Sequence, residues 1–150
     1  MRRTTRLNLL LCAAVLAAAV VACGKSTTTA PVDPGGVLGT YVLKTINGAA
    51  PPGIYHLSTS QRIMLDTATL RINSNNTFSD MRTTQLFDPS AHAATTTTRT
   101  GMYTTSGNDI TLSYINDLGI PATETLTLSG RTLTVTEGPP EQRVALTFVK

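Results

Sequence analysis

Apolar residues recur at every second position along most of this chain after Gly39. Leu70 and Ile72 fall on the opposite side of an extended backbone from Thr69 and Arg71. Ile110, Leu112 and Tyr114 oppose Thr111 and Ser113, and Leu126 and Leu128 oppose Thr125 and Thr127. Leu133 and Val135 oppose Thr132, Thr134 and Thr136, while Val144, Leu146 and Phe148 oppose Ala145 and Thr147. A period of two marks strands with one buried face and one wet face, as in an antiparallel sheet. The runs predict strands at residues 39–47, 53–58, 62–73, 77–87, 94–105, 109–116, 120–128, 131–137 and 142–149. No stripe of helical period competes with them.

Turn chemistry separates the runs. Asn73-Ser74-Asn75-Asn76, Ser106-Gly107-Asn108 and Ser129-Gly130 supply residues that tolerate a left-handed backbone, as tight hairpins need. Pro51-Pro52 breaks the chain after the first strand and Pro139-Pro140 opens the last connection, because proline cannot serve a central ladder. Consecutive hairpins with a single apolar face must curl to hide it. The expected fold is therefore all-β, an antiparallel up-and-down β-barrel of about eight strands. In two stretches, Asp80 to Thr84 and Thr95-Thr96-Thr97-Thr98, the alternation is replaced by polar residues on both faces. The expectation there is a hairpin extending beyond the core, with a polar patch lining the barrel mouth as the alternative.

The first 37 residues follow different rules. Arg2, Arg3 and Arg6 precede an apolar run from Leu9 to Ala22 that is short for a membrane span, the pattern of an export signal. Val20-Val21-Ala22-Cys23 resembles the lipobox of bacterial lipoproteins. That resemblance implies a signal peptide at 1–22, acylation of the Cys23 thiol, and a mature chain tethered by lipid to a membrane of the cell envelope. Gly24 follows the cysteine, without the aspartate of an inner-membrane retention signal, so the outer membrane is the expected address in a diderm host. Residues 23–37, rich in Thr, Pro and Gly, read as a flexible tether, and 38–150 as one domain.

Cleavage changes the charge. Three of the 12 Lys and Arg residues lie in the signal, so nine remain against nine Asp and Glu, and the formal charge of +3 falls to zero. The remaining basic residues are scattered, and a nucleic-acid partner has no basis. With Cys12 discarded and Cys23 acylated, neither a disulfide nor a thiolate metal site is available.

Gly39-Thr40-Tyr41-Val42-Leu43 with Ile46-Asn47-Gly48, then Asn76-Thr77-Phe78, Gly101-Met102-Tyr103 and Gly107-Asn108-Asp109-Ile110-Thr111-Leu112, resembles the small bacterial lipocalin-like lipoproteins over residues 38–150. The resemblance implies the barrel. In lipocalins a tryptophan stands at the position of Tyr41, packed against a later basic residue, a role for which Arg143 is the candidate here.

Catalytic patterns are sparse. His56 and His92 lack zinc-site spacing, and Ser58 or Ser90 with His92 and Asp88 lacks a nucleophile elbow. The carboxylates are dispersed, and no phosphate-binding loop is present. The expectation is a protein that is not an enzyme and needs no cofactor or metal. Two function classes remain. One is a binding module that holds a small apolar or amphipathic ligand, entering past Tyr41 and Tyr103, with Tyr41, Phe78, Tyr103, Tyr114 and Phe148 as lining. The other is a structural or protein-interaction module of the envelope, its barrel filled by those same side chains.

Overall fold

Each alternating run is a strand in the computed structural model, which describes residues 36–57, 62–88 and 91–150. The strands are β1 (Gly39–Ile46), β2 (Gly53–Leu57), β3 (Arg62–Ile72), β4 (Thr77–Asp88), β5 (Ala91–Ser106), β6 (Asp109–Ile115), β7 (Pro121–Ser129), β8 (Thr132–Glu137) and β9 (Val144–Val149). Cys23, the signal peptide and most of the tether lie outside the described residues, as do Ser58 and Ser90.

From β3 to β9 each strand pairs antiparallel with the next, β9 pairs with β1, and β1 pairs with β3 to close a ring of eight. β2 lies outside the ring count. It runs along the first half of β3, with Gly53 opposite Leu65, while β1 runs along the second half, with Gly39 opposite Ile72. The two therefore behave as one strand interrupted at 47–52. Asn47 and Gly48, both at positive φ, and the Pro51-Pro52 pair make that interruption.

The apolar face assigned by alternation is the interior. Leu70, Ile72, Ile110, Leu112, Leu133 and Leu146 are all buried. The face changes parity at two irregularities, between Leu43 and Thr45 in β1 and between Leu65 and Thr67 in β3. Leu43 and Ile46, and likewise Leu65 and Ala68, are buried at a spacing of three because one extra residue is accommodated between them.

One end of the barrel is closed. Val37 is buried beneath it, and the Tyr41 hydroxyl donates to the carbonyls of Val37 at 2.8 Å and Gly36 at 3.2 Å. The Tyr103 hydroxyl donates to the Asn73 carbonyl at 3.0 Å across the β3–β4 turn. Lys150 places its Nζ 5.9 Å from the Tyr41 ring centre and donates to the Gly36 and Leu38 carbonyls. This corrects the expectation for Arg143: the basic residue against Tyr41 is Lys150, because Arg143 precedes β9 and is exposed, whereas Lys150 follows its far end.

Gly101 shows how closely β5 and β6 approach. A Cβ at this position would sit 2.1 Å from the Ser113 carbonyl oxygen and 2.8 Å from Cε1 of Phe78. Gly101→Ala is expected to cost about 1–3 kcal/mol, since backbone must shift to admit one methyl. Urea unfolding would show this as a lower midpoint at unchanged slope.

Candidate functional site

Above the closed end the inward positions turn from apolar to charged. In β4 the interior sequence is Phe78, Asp80, Arg82; Asp80 is 2 % exposed and Arg82 7 %. This corrects the reading of Asp80 to Thr84 as polar on both faces beyond the core. Alternation continues there, and the inward polar residues are tolerated because they find partners on other strands. The Thr95 to Thr98 run is exposed, as expected for an extended hairpin, with the Thr83 and Thr96 hydroxyls 3.0 Å apart.

Five strands supply the partners. Arg82 donates from Nη1 to Glu137 Oε2 and from Nη2 to Glu137 Oε1, both at 2.6 Å, and from Nε to Asp80 Oδ2 at 2.9 Å. Arg99 donates to the same Asp80 oxygen from Nε at 3.1 Å and Nη2 at 2.5 Å. It also reaches Glu124 Oε2 at 3.1 Å and the Tyr114 hydroxyl at 2.8 Å. Tyr55 of β2 accepts from Arg82 Nη1 at 2.6 Å and donates to Glu137. Each arginine lies over a tyrosine ring, Arg82 at 5.5 Å from the centre of Tyr55 and Arg99 at 4.6 Å from that of Tyr114.

Burial and proximity split the two glutamates. Burial disfavours the charged form of Glu137, but the two-pronged contact with Arg82, with help from Glu124 and Tyr55, outweighs it and holds the group at about 2. Glu124 is pushed up to about 8, first by burial and then by Glu137 beside it, which Arg99 and Arg82 only partly offset. For Arg82 and Arg99 the carboxylates overcome burial, and the guanidinium groups hold their protons more tightly than usual. Burial likewise raises the phenols of Tyr55 and Tyr114.

The wall opens beside this layer. β7 pairs with β8 only at Thr127 to Ser129 against Thr132 to Thr134, while β7 stays on β6 back to Pro121 and β8 stays on β9 out to Glu137. The divergent stretches form the lips of a polar pocket of about 550 Å³, lined by Thr123, Glu124 and Thr125 on one side and Thr136, Glu137 and Gly138 on the other, with Tyr55, Arg99 and Tyr114 behind. A second pocket of about 370 Å³, bounded by His56, Arg82, Arg99 and Asp117 among others, forms the mouth proper. On the outer wall an apolar groove of about 610 Å³ runs past Met102, Ile115 and Pro121, and it shares Tyr114 and Thr123 with the polar pocket. Between the charged layer and the apolar core, the space bounded by Asp80, Leu112, Leu126 and Phe148 is too small for a water molecule.

The sequence-derived lining residues divide accordingly. Tyr41, Phe78, Tyr103 and Phe148 are buried in the core towards the closed end. Tyr114, edge-on to Phe78 at 6.2 Å, lines the polar pocket and the outer groove. The charged residues were missed because each stands alone in sequence. Parity carried the signal: Arg82 lies four positions after Phe78, Arg99 four before Tyr103, Glu124 two before Leu126 and Glu137 two after Val135. A charge in step with an apolar stripe is an inward charge and needs a partner.

No family model and no curated protein matches the chain. Among solved structures, the fatty-acid-binding protein isolated from Manduca sexta is similar, with a TM-score of 0.33 and 16 % identity over 75 % of this chain and 97 % of that one. A likeness so slight leaves the site to be read from its own residues.

Proposed function

We propose that this chain is a lipid-anchored envelope protein akin to the small bacterial lipocalin-like lipoproteins, a non-catalytic module that holds a small amphipathic ligand at the open end of its barrel. The observation that carries the ligand reading is that a polar pocket and an apolar groove share Tyr114 and Thr123 in their linings. An amphipathic molecule has use for a polar and an apolar surface placed so close together. A wholly interior ligand would have to displace the side chains that fill the barrel, as is usual for eight strands.

The anchor reading is supported by the arginines at 2, 3 and 6, the apolar run to Ala22, and Cys23 after Val20-Val21-Ala22. Cys23→Ala is expected to abolish membrane partitioning, followed by fractionation and by the mass of the N-terminus. A wild-type protein whose N-terminus is not an acylated Cys23 would end this reading.

The ligand is tested by native mass spectrometry of protein purified from its own envelope, with a thermal-shift screen of amphipathic molecules. Occupancy at a hundredfold excess over Kd is expected to add about 2.7 kcal/mol. The packed interior favours a second reading, an envelope interaction module with no small ligand. Absence of both copurified mass and thermal shift would leave that one standing.

A further inference from the structure

Three carboxylates face two guanidinium groups in the buried layer: Asp80, Glu124 and Glu137 against Arg82 and Arg99. The surplus is not spread evenly. Glu137 accepts two bonds from Arg82 and one from Tyr55; Asp80 accepts three from the two arginines, all on Oδ2, and its unpartnered Oδ1 lies on the closed space below the layer and not on the opening. Glu124 accepts one arginine bond, from Arg99 at 3.1 Å, and its Oε1 has no partner although the side chain is only 10 % exposed. With a single arginine bond and the Glu137 carboxylate beside it, Glu124 calls for a proton or a cation. Glu124 also stands on one lip of the β7–β8 opening, in a pocket whose rim includes Thr123, Thr125 and Thr136.

We propose that this pocket binds the ammonium head of a small organic cation, with ionised Glu124 as its counter-ion. The inference rests on the amphipathic-ligand reading and assigns its head group. An anionic head would find no free cation, because both guanidinium groups are already engaged by carboxylates and tyrosines. A primary ammonium brings a donor for Glu124 Oε1 and a full positive charge to balance the ionised carboxylate. Tyr114 flanks the head, and the groove past Met102 and Ile115 takes the alkyl part. A bare metal ion would leave that groove unused, and among the described residues no group of three or more His, Cys, Asp or Glu is placed to hold one.

The proton competes for the same place. Charged and titratable groups face Glu124 from every side: Tyr55 of β2, Asp80 and Arg82 of β4, Arg99 of β5, Tyr114 of β6 and Glu137 of β8, with His56 and Asp117 at the mouth. With Glu124 pushed up to about 8, its carboxyl carries a proton at pH 7. Binding expels that proton to solvent while the ammonium keeps its own three. Affinity therefore rises towards about tenfold per pH unit below about pH 8 and levels off above it.

Calorimetry of the full-length protein in neutral nanodiscs tests this with butylammonium, butanoate and butan-1-ol, each in two buffers of different ionisation enthalpy. Butylammonium is expected to bind tightest, to release close to one proton per molecule at pH 7 and almost none at pH 9, and to lose at least tenfold in affinity in Glu124→Gln. The melting temperature of the unliganded variant shows that it is folded. Equal binding of butanol and butylammonium, or binding without proton release in the wild type, would overturn the ammonium assignment and leave the amphipathic reading intact. Failure of all three probes would remove both.

Discussion

Arg82→Ala is expected to cost about 3–5 kcal/mol of stability, because it strands two buried carboxylates that the guanidinium now holds. Glu137 would lose both of its arginine bonds and Asp80 would lose one, in a layer with no room for compensating water below it. Against a total of about 5–15 kcal/mol for a domain of this size, the loss brings the protein to the edge of unfolding. Urea midpoints at pH 7 measure it. Arg71→Ala, on the exposed face of β3, should shift stability by no more than about 0.5 kcal/mol. Arg82→Met with Glu137→Leu should cost far less than Arg82→Ala alone, since it removes both charges together and leaves Asp80 its Arg99 bonds. Equal losses in the single and the double variant would show that lost volume, and not an unpaired charge, is responsible.

The contrast between Arg71 and Arg82 also shows what the sequence made legible. Strand order, turns and faces were readable because a period of two is a direct imprint of one buried side. Leu112 and Thr111 took the environments that alternation assigned them. Both arginines read as solvated charges by residue type alone, yet Arg71 alternates with Leu70 and Ile72 while Arg82 keeps step with Phe78. What alternation could not supply is register. Asp80 meets Arg99 because β4 and β5 pair with those two residues opposite each other, and Glu124 meets Leu112 across β6 and β7 in the same way. Such pairings depend on where each turn places its strands, and a shift of one residue would move every side chain to the other face. The opening between β7 and β8 was equally hidden. Ser129-Gly130 marks the hairpin but not the point at which its arms part.

The stability of the protein is expected to fall as pH rises from about 5 to 8, the reverse of what an ordinary ion-paired carboxylate produces. Glu124 sets this sign. Its folded-state value lies near 8 while an unfolded glutamate titrates near 4.5, so within that window the folded chain holds a proton that the unfolded chain has released. Stability is then complete below about 4.5 and declines through the window at up to about 1.4 kcal/mol per pH unit, levelling above 8. Glu137 acts in the opposite sense at lower pH. Held at about 2, it contributes stability above about 4.5 that is lost as pH falls towards 2, so the two glutamates together place the maximum near pH 5. Glu124→Gln keeps the shape of the protonated acid at every pH, with its amide able to donate towards Glu137 and its carbonyl able to accept from Arg99. The variant should match the wild type near pH 5 and exceed it by a few kcal/mol at pH 8. Urea unfolding of both proteins across that range decides the matter. Parallel curves would place the titrating proton on a group other than Glu124, and with it the competition on which ammonium binding depends.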